Sequence, residues 1–370
     1  MGVSEKIAQL SPELQALIVD KKTAESSLDH FRHTLQHPRG TISSFAESTL
    51  LHCNGGATLD AALWLRRHLD NGGKLVIAMG GALSSFEIGV LLAPLIRAGK
   101  VHLISATGAN HEESYYRYVA SKEYRYIPRY TELTPQQEAE LRDAGLRRIT
   151  DTFLPEDESV RILEPHLLDM WQNAEKHGER FFPHEYFRRL FSEGLITSDT
   201  PSGAEECWVR AAWEHSIPIV IPGFEDSTMG NIFASYAYPH GSYKHKAHIR
   251  LNPNIMKTGP EYFHLMYDWY MEESEDAPIA FLQLGGGISA DFPICVVPSL
   301  KHDLGLHGKV RDWAGFIEIG SSPMSYGSYS GAGGKEKITW DKLSTKSYYQ
   351  IIQSDVTVVF PWIAAILLEE

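Results

Sequence analysis

Six stretches of the chain are apolar almost without a break: 74–81 (KLVIAMGG), 101–108 (VHLISATG), 217–223 (IPIVIPG), 280–287 (AFLQLGGG), 315–322 (GFIEIGSS) and 355–361 (DVTVVFP). A strand with one wet face alternates apolar and polar residues, whereas an unbroken run belongs to a strand covered on both faces. Glycine-containing turns follow these runs and helix-like patterns lie between them. That alternation predicts a parallel sheet wrapped by helices. The stretch 83–99 (LSSFEIGVLLAPLIRAG) predicts a crossover helix ending at Gly99. Segment 133–147 opens on Thr134-Pro135 with Gln137 and Glu138 behind it, a good helix start. Charged and aromatic residues fill 151–200, expected as helices that decorate the sheet, and 236–259 is expected as a long loop or extension. The apolar tail 356–368 is too short to span a bilayer and contains Pro361; it predicts a buried strand followed by a short final helix.

No internal repeat is present, and 321–334 (SSPMSYGSYSGAGG) is the one low-complexity tract. Length alone would suggest two domains, but single α/β units reach 370 residues. The predicted architecture is one α/β domain over 1–370. It is a Rossmann-like, doubly wound, mostly parallel sheet with helical additions, and its N-terminal helical segment covers about 1–70.

Charge narrows the partners. With 34 Lys and Arg against 47 Asp and Glu, the net charge is −13, which disfavours nucleic acid and anionic membrane and is compatible with cationic substrates. Cys53, Cys207 and Cys295 are far apart and in no CxxC spacing, so neither a disulfide framework nor a structural zinc site is expected, and a reducing cytoplasm is. The N-terminus, MGVSEKIAQLSPELQ, lacks the apolar core of a signal peptide. His240, His245 and His248 share one loop without a cysteine or HExxH partner, which reads as a solvated basic loop, so no metal is expected.

In doubly wound sheets the ligand lies outside the carboxyl ends of the strands, so the turns after the apolar runs are candidates for a single site. Strict fingerprints are absent: no GxGxxG follows a strand, Gly334-Lys335 lacks the rest of a P-loop, and GSYSG (327–331) carries Tyr329 where a nucleophile elbow has serine. The run GSYSGAGGKEKITWDKLS (327–344) remains, a Gly/Ser loop leading into Glu336, Trp340 and Lys342. Lysine is a covalent nucleophile only with a neutral amine, which requires desolvation or a neighbouring cation. Trp340 offers an apolar wall and a face for an ammonium group, and Glu336 a counter-charge. Composition alone favours a surface lysine after an ordinary loop.

These residues resemble the deoxyhypusine synthase family, which carries a GSDSGA loop, then a glutamate, then W-G-K with the lysine as nucleophile. Here GSYSGA (327–332), Glu336 and Trp340-Asp341-Lys342 stand at matching spacing. TGANHEE (107–113) resembles the family's TAGGxEE, PGFEDSTMGN (222–231) resembles PALTDGSLGD, LGGG (284–287) matches directly, and SDVTVVFP (354–361) resembles ADASLVFP. The resemblance spans roughly 40–365. It implies NAD as cofactor, bound at Gly81 to Ser85 (with Ser84), Thr107, Gly108, Ala109, Glu113, Asp226, Gly286, Ser321, Ser322 and Asp355–Val356. It implies a polyamine, spermidine or putrescine, near Glu112, Glu113, Gly327, Ser328, Tyr329, Glu336 and Trp340, with an imine on Lys342. It also implies a homotetramer with sites between subunits.

Four positions depart from the family pattern. Asp291 stands for the histidine after GGG, Asn231 for the last aspartate of DGSLGD, Ala82 for the asparagine of the first cofactor turn and Tyr329 for the aspartate of the Gly/Ser loop. Asp291 and Asn231 would lie in the polyamine channel. The departures resemble the bacterial-type deoxyhypusine synthase-like branch, which implies a homospermidine synthase-like transfer with a small amine such as putrescine as acceptor. Modification of a protein lysine, a silent polyamine- or NAD-binding relative, and an unrelated NAD dehydrogenase are the alternatives.

Overall fold

The computed structural model describes residues 2–20, 41–238 and 250–369; His240, His245 and His248 lie outside the described residues. In chain order the strands are β1 (Val19–Asp20), β2 (Lys74–Met79), β3 (Leu103–Ala106), β4 (Arg125–Tyr126), β5 (Arg147–Ile149), β6 (Thr152–Leu154), β7 (Ile219–Val220), β8 (Ile279–Leu284), β9 (Trp313–Gly320) and β10 (Leu343–Gln353). Six of them build one sheet in the order β10-β9-β8-β2-β3-β7, every pair parallel. All residues of β8 and β3 are buried, as unbroken apolar runs require of a sheet covered on both faces. Parallel register aligns the strand ends: Met79 pairs with both Ala106 and Leu284, and Gln283 with Glu318. The turns at Gly80, Thr107, Gly285 and Ser321 therefore share the carboxyl edge of the sheet. The α/β doubly wound class expected from the runs is what the chain forms.

One run departs from expectation. Residues 355–361 are not a strand but the first half of the helix Val356–Leu368. Asp355 caps it, its Oδ1 accepting from the Thr357 amide at 2.7 Å. The helix packs on the Cys53–Asp70 helix and buries Val359, Phe360, Ile363, Ala364, Ile366 and Leu367. An apolar run of this length fits a buried helix as well as a buried strand, and the cap decides. The edge strand is instead β10 (LSTKSYYQIIQ), whose polar, half-exposed pattern concealed it.

The crossover after β2 also differs. The helix covers Gly89–Arg97 alone, because Glu87 adopts φ +61° and the chain turns between Gly81 and Ile88. The Thr134-Pro135 start is realised in the helix Pro135–Asp143: the Thr134 hydroxyl accepts from the Gln137 amide at 3.3 Å while the Thr134 amide donates to Gln137 Oε1 at 2.9 Å. Helices Val160–His177 and Pro183–Ser192 occupy the charged, aromatic region.

A second sheet, antiparallel in the order β1-β4-β6-β5, is absent from the sequence reading. It has its own small core of Val3, Leu10, Leu14, Ile127, Leu141, Leu146 and Phe153, and it draws part of the N-terminal segment into a strand. Strands of two or three residues leave too short a period to be seen.

Candidate active site

Two groups of chemistry-bearing residues form on the carboxyl edge. The first surrounds Lys342, which immediately precedes β10 and is only 8% exposed. Its Nζ donates to Asp291 Oδ1 at 3.2 Å and stands 5.3 Å from the centre of the Tyr329 ring. Asp291 rides on the short helix Ile288–Ile294 that follows the β8 turn, and its carboxylate is half exposed. The Cys295 thiol sits 3.7 Å from the same carboxylate oxygen, and burial pushes that thiol up. The Tyr329 phenol is pushed well above its ordinary value by burial, so it stays protonated.

The backbone before Lys342 is bent. Asp341 adopts φ +54°, a left-handed conformation uncommon outside glycine. A π-helical turn, Ser299–Asp303, grips it twice: Lys301 Nζ donates to the Asp341 carbonyl at 3.3 Å, and His302 Nε2 lies 2.9 Å from Asp341 Oδ2. The bend separates the neighbouring side chains, leaving Trp340 64% exposed while Lys342 turns inward. Within the chain, Tyr329 rather than Trp340 is the ring against the Lys342 amine.

The second group lines an open cleft of about 690 Å³ that includes Ala82, Ala109, Glu112, Glu113, Asp226, Ser227 and Asn231. The turn beneath it is a polar lattice centred on Asn110. Its amide group donates to the Gly80 and Gly81 carbonyls, both at 2.9 Å, while its Oδ1 accepts from the Ser84 amide at 2.9 Å. Glu112 accepts from the Thr228 and Met229 amides, both at 2.8 Å, and so caps the helix Thr228–Ala237. Burial pushes the Glu113 carboxyl up to about 8, against the hydrogen bond that Ser85 donates to it.

The sequence profile of the deoxyhypusine synthase family matches residues 52–367. The chain belongs to the deoxyhypusine synthase family. Similar proteins are a deoxyhypusine synthase-like protein of Cyanothece sp., 24% identical over 315 residues (83% of this chain, 74% of that protein), and one of Caulobacter vibrioides, 24% identical over 304 residues (80% and 74%). A third, the deoxyhypusine synthase-like protein of Coxiella burnetii, is 24% identical over 303 residues, covering 79% of this chain and 75% of its own length. The deoxyhypusine synthase family performs NAD-dependent aminobutyl transfer.

Set against the family expectations, the structure gathers Ala109, Glu112, Glu113, Asp226 and Asn231 into the cleft, and Asp291, Tyr329 and Lys342 into the lysine cluster. Gly81 and Gly108 belong to the turns that build the cleft. Ser84 is buried, its hydroxyl donating to the Asn110 carbonyl and accepting from Trp208 Nε1, and so serves the scaffold. Thr107 caps the helix Gly108–Ala120 and Asp355 caps the last helix. Asp355 lines a different cavity, beside Phe86 and Tyr126. Asn231 uses its amide on the Glu225 and Ser227 carbonyls at 2.8 and 2.7 Å. Gly286 packs under Ser330, Ser321 and Ser322 follow β9, and Gly327 and Ser328 form the loop that carries Tyr329. Glu336 is exposed at the start of a one-turn helix, Glu336–Thr339.

Three residues escaped the sequence reading. Lys337 is buried beside the Tyr329 ring, Glu318 is buried on β9, and Gln283 is buried beside it on β8 with neither polar side-chain atom partnered. A signal was present: Glu318 is a lone charge inside the apolar run GFIEIG, and a buried carboxylate demands a partner. Among the described residues no helix is long and apolar enough to cross a membrane.

Proposed function

We propose that this chain is an NAD-dependent aminoalkyl transferase that carries an aminobutyl group from spermidine or putrescine to a small amine, putrescine above all, through an imine on Lys342. The observation that carries the reading is the Lys342 amine, withdrawn from water and set between the Asp291 carboxylate and the Tyr329 ring.

The carboxyl-edge turns fit a dinucleotide. Gly81 and Gly287 have positive φ, and a Cβ added to either would meet nothing within 4 Å, so bare backbone opens onto free space. The helix Gly108–Ala120 presents its first amides beside Ala82 and Ala109 in the cleft, a setting suited to a pyrophosphate. Asp226 supplies an exposed carboxylate for ribose hydroxyls. When bound, NAD supplies a reversible hydride acceptor for the carbon beside the donor nitrogen, so the transfer shows no net oxidation.

The chain's own residues supply the rest. Asp291 accepts the Lys342 proton, and the neutral amine adds to the C=N carbon of the oxidised donor. The donor's amine leaves with a proton as the aminobutyl imine forms on Lys342. An acceptor amine then adds to that carbon and expels Lys342, which recovers its proton. Tyr329 gives the ammonium end of a substrate a ring face. Glu112 is engaged in capping and Glu113 is largely protonated near neutrality, so holding the polyamine's charge falls to the exposed Glu336.

Exposed apolar side chains support the homotetramer with shared sites. Ile288, Met324, Tyr326 and Trp340 all lie on the segments that carry Asp291, Tyr329 and Lys342. A second copy covering them would exclude water from the lysine.

The test is product analysis. Protein is incubated with NAD and spermidine, with and without putrescine, and the amines are separated and weighed. The proposal expects homospermidine and 1,3-diaminopropane, dependent on putrescine and lost in Lys342→Ala. Absence of amine turnover in the wild-type protein overturns it.

A further inference from the structure

Behind Lys342 lies a second amine in an unusual place. Lys337 is 2% exposed, and its Nζ stands 4.4 Å from the centre of the Phe316 ring and 4.8 Å from that of Tyr329. Its one close polar contact described is the Ala332 carbonyl, at 3.4 Å. Lys342 faces the same Tyr329 ring from 5.3 Å. Two buried lysine amines therefore share one aromatic side chain.

Glu318 completes the sealed part. It lies two residues beyond Phe316 on β9, buried, with Oε2 lacking a partner. The Tyr329 hydroxyl and both polar atoms of the Gln283 side chain are likewise buried and unpartnered. Ser330 closes the top so tightly that a Cβ on Gly286 would fall 1.9 Å from its hydroxyl. Burial pulls the Lys337 amine down and pushes the Glu318 carboxyl up to about 7; each opposes the other's shift, as an acid and a base in one low-dielectric pocket must.

We propose that Lys337 is a positioning residue for Lys342: its buried charge, held against the Phe316 and Tyr329 ring faces, repels a second ammonium on the Tyr329 ring and keeps the Lys342 amine ready to attack. A neighbouring cation is one of the established ways of activating a lysine nucleophile. The other charged and titratable groups facing the pair are Asp291, Cys295, Tyr329 and Glu336.

The inference rests on the proposed role of Lys342, but its test does not require amine transfer. Trace acetylation by isotope-labelled acetic anhydride, read peptide by peptide by mass spectrometry across pH, measures the reactivity of the Lys342 amine itself. Exposed Lys346 serves as the internal reference. In Lys337→Met, acetylation of Lys342 at pH 7 is expected to slow by about tenfold, with the pH profile displaced upward and Lys346 unchanged. Lys337→Arg, which keeps the charge, is expected to stay within about threefold of wild type. An unchanged profile in Lys337→Met, or equal losses in both variants, overturns the proposal in favour of packing alone. If neither variant folds, the wild-type protein decides: Lys342 must acetylate faster than Lys346 at pH 7 despite its burial, and slower acetylation overturns the proposal. A failed amine-transfer assay beside a displaced profile would instead count against the function and leave the Lys337 effect standing.

Discussion

The Lys342 amine and the Asp291 carboxylate, 51 positions apart in sequence, meet at 3.2 Å across the carboxyl edge of the sheet. One is nearly sealed from water and the other half exposed, which suits a nucleophile and the group that takes its proton to solvent. Asp291→Asn keeps the shape and removes the base. Transfer is expected to fall about a hundredfold in kcat with little change in melting temperature, checked by steady-state amine analysis and thermal denaturation. Full activity would remove Asp291 from the chemistry.

Asp341 tests how the nucleophile is aimed. Its left-handed backbone is held by Lys301 and His302, and glycine adopts that conformation without strain. Asp341→Gly should therefore retain most of the transfer activity, whereas Asp341→Val should lose roughly 1–2 kcal/mol of stability and much of the activity. Urea denaturation and product analysis of both variants read the two effects. Equal behaviour of the two would mean that the backbone bend has no role.

Glu112 was a candidate substrate carboxylate, yet its two oxygens satisfy the buried amides at the start of the Thr228–Ala237 helix. Glu112→Ala should destabilise the protein by about 3 kcal/mol, since two donors lose a charged acceptor. A rise in KM for spermidine without loss of stability would return Glu112 to substrate binding.

Glu113 makes stability depend on pH in a defined direction. Its carboxyl is ordinary when unfolded and is raised to about 8 in the fold, so the folded state retains a proton that the unfolded state releases. The contribution is fully present below pH 4.5 and is lost as pH rises toward 8. In Glu113→Gln that loss disappears, and the variant should gain on the order of 2 kcal/mol relative to wild type between pH 5 and pH 8.5. Urea midpoints at the two pH values provide the check, and parallel curves would contradict it.

Much of the sheet was legible because strands buried on both faces are apolar along most of their length, and β2, β3, β8 and β9 are, with Glu318 and Gln283 among the buried exceptions. The tail misled for the same reason: Val356–Leu368 is apolar on nearly every side and buried on most, so its pattern carries no period, and only the Asp355 cap marks it as a helix. β10 was hidden because an edge strand keeps polar side chains. At the site, motif spacing located Lys342 and Tyr329. It could not show that Glu112 accepts from the Thr228 and Met229 amides or that the Ser84 hydroxyl donates to the Asn110 carbonyl, because those contacts join segments that meet only in the fold. Glu318 and Lys337 lie within the runs 315–322 and 327–344 but carried no motif role there, and only the fold shows that both are buried.

Reductive trapping tests the central claim most directly. The protein is incubated with NAD and spermidine, treated with borohydride, digested and analysed by mass spectrometry. The account predicts an aminobutyl group on the peptide bearing Lys342, absent without NAD and absent in Lys342→Ala. Amine products formed with no such adduct, or an adduct on another lysine, would contradict it.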